Sequence, residues 1–250
     1  MSVLVITPVY GSTEAASVAL GYADARTTLL QCTDVDMLPS SLFFSDDLVR
    51  GRSRAAAYAL DSHATHFLWW DSDVVPGDPV AIVRRMLASG HDVVGAPYPV
   101  KRIAARYPYR VSGEVDHGGS REGSDTSTVK LNIDSAQCVE VDDIAMGFML
   151  TSRECIQKMV DTYAEQLWYS DVRPGHPTRE LVAIFAMMFG EPTVVGAYRF
   201  RTLDSEDYSF CRRWRALGGK VNMYVGPGAP LTHVGAHAFA GHIKDIGRIT

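Results

Sequence analysis

Short apolar runs alternate with amphipathic segments along the first hundred residues. The runs predict strands at residues 3–6, 28–32, 67–70 and 92–95. The amphipathic segments predict helices at residues 13–22, 48–60 and 79–89, with turns at Thr7-Pro8-Val9-Tyr10-Gly11 and around Pro39. This order of strands and helices predicts a doubly wound α/β fold, with a mixed, mostly parallel central sheet flanked by helices.

The pattern changes after residue 100. A Gly/Ser-rich polar segment at residues 111–130 predicts a surface loop or hairpin. Beyond it we expect strands at residues 139–142, 146–150, 193–196, 198–200 and 221–225, and helices at residues 153–167 and 205–217. The length and pattern favour a single domain over residues 1–250, with one half at 1–100 and the other at 101–250.

The apolar run Phe67-Leu68-Trp69-Trp70 leads directly into Asp71-Ser72-Asp73. In an extended strand, side chains at i and i+2 point to the same side, so the two carboxylates can converge where the strand ends. Strand ends are where open α/β sheets bind ligands, and paired carboxylates suit Mg²⁺ or Mn²⁺. The motif therefore indicates a metal that holds a diphosphate. The alternative is an ordinary turn, in which Asp and Ser bond to the backbone.

Charge and composition narrow the function classes. The 250 residues are 46% hydrophobic and 21% charged, which is an ordinary globular composition, and the formal net charge is −5. An acidic balance argues against a general nucleic-acid surface. A local patch of Arg84, Arg85, Lys101, Arg102, Arg106 and Arg110 would reopen that possibility.

The cysteines and the amino terminus bear on the compartment. Cys32, Cys138, Cys155 and Cys211 are scattered without a CxxC pair, so we expect reduced thiols and neither a disulfide framework nor a zinc site. The start of the chain lacks the pattern of a signal peptide, and no apolar run reaches membrane-spanning length. We therefore expect a cytoplasmic protein with no membrane span.

Six motifs, taken in order, resemble the GT-A-fold nucleotide-sugar glycosyltransferases, above all the large inverting family 2 type with small viral, phage or bacterial members. Each motif is short, and the resemblance depends on their order and spacing over nearly the whole chain. They are Ile6-Thr7-Pro8-Val9-Tyr10-Gly11, Arg52-Ser53-Arg54-Ala55, Asp71-Ser72-Asp73, Gly147-Phe148-Met149-Leu150, Ser205-Glu206-Asp207 and Thr232-His233-Val234-Gly235.

The resemblance implies a role for each motif. Residues 1–100 would be the nucleotide-donor half and residues 101–250 the acceptor and catalytic half. Asp71, Asp73 and His233 would hold Mn²⁺ or Mg²⁺, with His237 as the rival of His233. Asp207 would be the general base, with Glu206 second. The donor would contact Thr7, Pro8, Tyr10, Arg52, Arg54, Asp71 and Ser72.

Plainer interpretations stand beside these roles. Glu206 and Asp207 suit the positive end of a helix dipole, and Arg52 and Arg54 suit a solvated helix face. Trp69 and Trp70 are expected in the core. The segment at residues 97–102 would line the acceptor groove or form a rigid loop. The base-contacting aspartate of the family is either Asp34 or Asp36, and residues 165–190 match no motif.

The implied activity is metal-dependent transfer of a sugar from a nucleotide diphosphate, with a UDP-sugar preferred, to a hydroxyl of a glycan, a protein or a modified DNA base. In-line displacement would invert the anomeric centre. The cytoplasm of a virus-infected cell is one setting that fits. Two alternatives remain open, namely a nucleotidyl or phosphoryl transferase at the same carboxylates and a non-catalytic nucleotide-sugar-binding module. The sequence leaves the donor, the acceptor and the oligomeric state undetermined.

Overall fold

The computed structural model describes residues 1–9, 36–44, 47–102, 106–111, 130–173, 175–195, 197–235, 238–242 and 248–249. Several predictions fall outside these ranges. They are the helix at 13–22, the strand at 28–32, most of the segment at 111–130, and the residues Tyr10, Cys32, Asp34 and His237.

The described residues form four helices and a large set of strands. The helices are α1 (Leu48–Asp61), α2 (Pro79–Ala88), α3 (Arg153–Leu167) and α4 (Glu206–Ala216). The strands are β1 (Ser2–Val9), β2 (Asp36–Phe44), β3 (His66–Trp70), β4 (Val74–Val75), β5 (Val93–Gly95), β6 (Tyr109–Arg110), β7 (Lys130–Leu131), β8 (Cys138–Val141), β9 (Asp143–Ile144), β10 (Phe148–Ser152), β11 (Trp168–Asp171), β12 (Arg179–Val182), β13 (Met188–Phe189), β14 (Thr193–Val195), β15 (Tyr198–Phe200), β16 (Leu203–Asp204), β17 (Val221–Tyr224), β18 (Thr232–Val234), β19 (Ala238–Phe239) and β20 (Arg248–Ile249).

The central sheet is mixed, so the expectation of a mostly parallel sheet is wrong. Its seven strands lie in the order β2-β1-β3-β10-β5-β17-β8. The pairs β1–β2, β1–β3 and β5–β17 are parallel, whereas β10 is antiparallel to both neighbours and β8 is antiparallel to β17. None of these antiparallel pairs joins strands that are consecutive in the chain, so their directions do not follow from the order of the elements in the sequence. The sequence revealed β10 as a buried strand but not its partners.

Strand β3 is buried on both faces, as its continuous apolar run predicts. Phe67 and Trp69 pack into one apolar cluster with residues of α1, α3 and α4. Leu68 and Trp70 pack into a second cluster with residues of α2. Both tryptophans are fully buried, so the prediction that they belong to the core is confirmed.

The first strand runs further than predicted, and the turn predicted around Pro39 is a strand. Thr7 and Pro8 continue β1 and pair with β2, which is the outermost described strand of the sheet. The pairing register shifts between Leu4 and Ile6, whose partners are Leu38 and Ser41, so the irregularity spans Pro39. Proline cannot donate to a ladder and is tolerated on outer strands and at bulges, which explains why it does not end β2.

The unassigned segment after α3 is a hairpin that returns to the core. Strands β11 and β12 pair antiparallel, and Phe185 beyond them is fully buried. Its ring stacks on Phe210 of α4 with centroids 5.1 Å apart and meets Trp69 edge-on at 5.2 Å. Phe185 therefore contacts both helix α4 and strand β3, which Asp71 follows.

Among the described helices, none is long and apolar enough to cross a membrane. Cys138, Cys155 and Cys211 are buried free thiols.

Candidate metal and donor site

The carboxylates that follow β3 lie in a tight turn and not in an extended strand. The Val74 amide donates to the Asp71 carbonyl at 3.1 Å, and the Trp70 indole donates across the turn to the Val74 carbonyl at 2.7 Å. The Asp71 amide donates to the Gly147 carbonyl at 2.9 Å, because β10 begins where β3 ends. In this turn Asp71 and Asp73 contact different partners. The prediction that they converge because they alternate along one strand is therefore wrong, but the two carboxylates are still neighbours.

Asp71 faces Arg52, which is the centre of a buried ion network. Arg52 is 2% exposed; its Nη2 lies 3.1 Å from Asp71 Oδ1 and its Nη1 lies 2.9 Å from Glu206 Oε1. Burial raises the pKa of Asp71 and outweighs the opposite effect of Arg52. Burial likewise raises the pKa of Glu206 against the effect of Arg52. The guanidinium thus joins the end of β3 to the start of α4 inside the protein.

Asp73 faces a lysine and a histidine. Lys101 Nζ lies 2.6 Å and His233 Nε2 3.3 Å from the same oxygen, Asp73 Oδ2. Burial acts to raise the pKa of Asp73, but hydrogen bonds with His233 and Lys101 outweigh it and hold the pKa at about 2. Asp73 is therefore a carboxylate at neutral pH, with cationic or hydrogen-bonding groups on one oxygen.

His233 is held by its other nitrogen. His233 Nδ1 lies 2.9 Å from the Pro99 carbonyl oxygen, and a carbonyl can only accept, so Nδ1 carries a proton. In the neutral ring this leaves the lone pair of Nε2 directed at Asp73. A lone pair on Nε2 and the Asp73 carboxylate need a cation between them, which is either a proton, making Nε2 the donor to Asp73, or a metal ion that replaces it. The Nε2 and carboxylate donor set therefore fits a divalent metal such as Mn²⁺ or Mg²⁺, with Asp71 beside it.

Tyr98 and Gly147 pack together under this site. The Gly147 amide donates to the Tyr98 hydroxyl at 3.0 Å, and the Tyr98 ring meets His233 edge-on with centroids 5.0 Å apart. A Cβ on Gly147 would lie 2.4 Å from the Tyr98 hydroxyl oxygen, so only glycine fits. Burial, with the charges of Asp71 and Asp207, raises the pKa of Tyr98 well above its ordinary value, and the phenol stays protonated.

The first turn of α4 places two carboxylates in different settings. Glu206 is 8% exposed and bonds to Arg52. Asp207 is half-buried, and its Oδ1 accepts hydrogen bonds from the Ser205 hydroxyl and, at 2.8 Å, from the Tyr208 amide. Asp207 lies close enough to Arg52 and Tyr98 to affect the pKa of each. The structure therefore brings Asp71, Arg52, Glu206 and Asp207 into one neighbourhood.

The remaining residues predicted to contact the donor do not all lie at this site. Ser72 is half-buried in the turn, and Thr7 and Pro8 are buried near the end of β1. Arg54 does not join the network, because its guanidinium pairs with Asp171 of β11 at 2.6 Å. Arg54 thus anchors the hairpin against α1, and the solvated-face interpretation also fails for buried Arg52.

The predicted basic patch is partly neutralised. Arg110 lies between Asp143 and Asp204 at 2.6 and 3.1 Å, and Lys101 pairs with Asp73. Arg84, Arg85 and Arg102 are exposed. The folded arrangement therefore adds little to the case for a DNA acceptor.

Sequence reasoning missed Lys101, Tyr98 and the Pro99 carbonyl as parts of this site. All three come from the segment after β5, which the sequence marked only as an acceptor-side loop or a rigid one. Its Pro-Tyr-Pro pattern directly after a buried strand was the available signal. The sequence alone could not show that this loop crosses to Asp73 and His233.

Comparison with known proteins shows a fold and no family. No protein-family model and no curated protein matches the sequence significantly. Among solved structures, A197 from STIV matches with a TM-score of 0.50 and 15% identity, over 97% of this chain and 95% of that chain. HddC from Yersinia pseudotuberculosis, solved in complex with GMP-PN, matches with a TM-score of 0.32 and 10% identity, over 62% of this chain and 78% of its own. The chain therefore shares its mixed α/β fold with A197, and HddC is too distant to add to that.

Replacing Arg52 tests the buried network. In Arg52→Met, Asp71 and Glu206 lose the charge that lowers their pKa values, so both values rise further above the ordinary 3.8 and 4.5. A carboxyl group whose pKa is raised by folding destabilises the folded protein as the pH rises above the pKa that the group has in the unfolded chain. We expect a loss of about 3–5 kcal/mol in unfolding free energy at pH 8, and a clearly smaller loss at pH 5.

Chemical denaturation of both proteins at the two pH values measures this difference. Arg179→Met is the matched control, because Arg179 and Asp61 form an exposed pair. It should cost roughly 0–1 kcal/mol at either pH. Equal losses for Arg52→Met at pH 5 and pH 8 would show that the two carboxylates do not depend on this guanidinium.

Proposed function

We propose that this protein is a metal-dependent glycosyltransferase that moves a sugar from a nucleotide diphosphate to an acceptor hydroxyl. The observation that carries the proposal is the pair formed by Asp73 and His233 Nε2, which face each other at 3.3 Å; Asp71 is a neighbour of Asp73 and is also close to Asp207 of α4. Such a site combines a place for a diphosphate-bound cation with a carboxylate able to accept a proton.

The metal half of the site would consist of Asp71, Asp73 and His233. A bound Mn²⁺ or Mg²⁺ would supply Lewis-acid stabilisation of the diphosphate as it gains charge. The protein's own contribution is to fix the ligands. The Trp70 indole and the Val234 amide, which donates to the Asp73 carbonyl at 2.7 Å, hold the turn, and the Pro99 carbonyl holds the imidazole.

Lys101 would be a second cation for the same diphosphate. Its ammonium lies 2.6 Å from Asp73 in a partly exposed position, on a flexible stem that passes Gly235. A lysine can move from a carboxylate to a phosphate oxygen without losing its charge partner. Lys101 therefore competes with a metal at Asp73 before the donor binds and is free for the donor afterwards.

Asp207 is the better placed general base. Glu206 is committed to Arg52 deep in the protein, whereas Asp207 is half-buried and receives only short local hydrogen bonds. In the proposed step the acceptor oxygen bonds to the anomeric carbon as the bond from that carbon to the diphosphate breaks. The acceptor proton passes to the Asp207 carboxylate, and the diphosphate leaves with the electron pair. An in-line displacement of this kind inverts the anomeric centre.

In this proposal the first half of the chain binds the donor and the second half binds the acceptor. Residues 1–100 would bind the donor, a UDP-sugar by preference, through Thr7, Pro8, Tyr10 and Ser72, while residues 101–250 would bind the acceptor. In this proposal Arg52 acts on the donor indirectly, since its guanidinium is buried against Asp71 and Glu206 and cannot reach a phosphate without breaking both pairs.

Neutralising Asp207 tests the assignment of the base. We expect Asp207→Asn to lower kcat by about 10²–10⁴-fold, the usual contribution of a positioned base, while donor affinity stays within about twofold. Transfer is measured with the donor identified by binding, and affinity by calorimetry. Asp142→Asn, a change to a carboxylate paired with Arg215 away from this site, is the control and should keep its rate. Full activity in Asp207→Asn would remove this residue from the mechanism.

Neutralising Asp73 tests the metal and separates the enzyme classes. A panel of nucleotide sugars is titrated into the protein with Mn²⁺ and with chelator. We expect one donor to bind only with metal, and Asp73→Asn to weaken that binding at least about tenfold, because a ligand is lost. Asp161→Asn, which changes an exposed carboxylate on α3 outside this site, should bind like the parent. Metal-dependent binding of nucleoside triphosphates with no response to any nucleotide sugar would instead favour nucleotidyl transfer.

Removing the competing lysine should strengthen metal binding in the absence of donor. Lys101→Met deletes a partly exposed ion pair worth roughly 0.5–1 kcal/mol, so Mn²⁺ affinity should rise about two- to fivefold. Donor affinity with saturating metal should fall, because the diphosphate loses a cation. Calorimetry measures both, and Lys220→Met, which breaks an exposed pair with Glu140, is the control. Weaker Mn²⁺ binding in Lys101→Met would contradict the competition.

A further inference from the structure

A second group of metal-ligating side chains lies outside the proposed donor site. Atoms of His91, Asp134 and Cys138 that can ligate a metal all lie within 4.8 Å of one another. His91 Nε2 and Asp134 Oδ2 lie 2.9 Å apart. None of the three belongs to the group around Asp71 and Asp73. Asp134 and Cys138 are four residues apart, but His91 lies 43 residues before Asp134, so the group does not form a recognisable sequence motif.

Local backbone structure holds the three side chains together. Asp134 Oδ1 accepts hydrogen bonds from the amides of Ala136 and Cys138 at 2.9 and 2.8 Å, so Oδ2 is the oxygen that faces His91. Gln137, inside this turn, has a φ of 60°, a left-handed conformation that a non-glycine residue rarely adopts. Cys138 follows at the first position of β8 with 1% exposure. His91 comes from the segment after helix α2, where Gly90, with a φ of 70°, directly precedes it.

A cavity adjoins this group. Its volume is about 410 Å³, and its lining includes all three ligand residues together with Leu131, Asn132 and Lys220. Three side chains leave the fourth position of a tetrahedral cation unfilled. That position would face the cavity, where a water molecule or a small ligand has room.

We propose that His91, Asp134 and Cys138 form a zinc site with one open coordination position facing this cavity. Ideal tetrahedral bonds to nitrogen, oxygen and sulfur place ligand atoms about 3.3–3.6 Å apart. The observed separations, from 2.9 Å to at most 4.8 Å, bracket that range, so rotamer adjustments of a few tenths of an ångström to about one ångström complete the geometry. Coordination converts the Cys138 thiol to a thiolate and releases its proton to solvent.

The chemistry of the ligands separates this site from the first one. Thiolate and imidazole ligands favour Zn²⁺, whereas the carboxylate-rich group at Asp71 and Asp73 favours Mg²⁺ or Mn²⁺. The competing explanation is an ordinary ion pair between His91 and Asp134 beside a buried cysteine. The two explanations differ in whether Cys138 contributes a bond to an added metal.

Metal binding by the full chain tests the proposal. The protein is freed of metal with chelator and kept reduced, then titrated with Zn²⁺ against a chromophoric chelator and separately with Co²⁺. We expect tight Zn²⁺ binding and, with Co²⁺, a near-ultraviolet absorption band from thiolate coordination. Cys138→Ala should lose that band and bind Zn²⁺ at least about tenfold more weakly.

Two controls make the result specific. Cys155→Ala removes another buried free thiol, at the start of α3, and Asp73→Asn disables the proposed donor-site metal; both should keep the Co²⁺ band. His91→Ala changes a half-buried residue and gives a second loss variant should Cys138→Ala unfold, which circular dichroism reveals. A Co²⁺ complex without a thiolate band, or equal Zn²⁺ affinity in the parent, Cys138→Ala and His91→Ala, would overturn the zinc site.

Discussion

The contact on which the candidate site depends is the buried bridge from Arg52 to Asp71 and Glu206. A guanidinium in a dry interior needs acceptors for its charge, which Asp71 and Glu206 supply here, and the two carboxylates in turn need the guanidinium. Because Arg52 lies on α1, Asp71 follows β3 and Glu206 opens α4, one side chain fixes three elements that are far apart in sequence. The geometry of the site therefore cannot change at one element without a cost at the other two.

This bridge also divides the carboxylates by role. Glu206 is buried against Arg52, whereas Asp71, Asp73 and Asp207 each remain partly exposed. Charged groups that are held in place and still reach solvent are the ones available to a ligand. Arg54 and Lys101 differ in the same way. Arg54 is held by the buried Asp171, whereas the pair between Lys101 and Asp73 is partly exposed and exchangeable.

Two kinds of metal chemistry would coexist in one small fold. The proposed donor site uses oxygen ligands and one imidazole next to the partly exposed Lys101, while the group at His91, Asp134 and Cys138 offers a thiol beside a cavity. The first follows a strand, at a sequence motif that predicts it. The second is formed by a turn and the segment after a helix, and it matches no sequence motif.

The sequence by itself determined the local features of this protein. The apolar run of β3, the approximate bounds of α1 to α4 and the buried tryptophans follow from apolar periodicity and helix-end signals, which act between near neighbours. Only the tertiary structure decided that β10 lies antiparallel between β3 and β5, that Asp71 and Asp73 sit in a turn with different partners, and that Lys101 and the Pro99 carbonyl reach the site. The same holds for the zinc ligands. These are contacts between distant segments, which depend on how strands order themselves in the sheet, and no local pattern encodes that order.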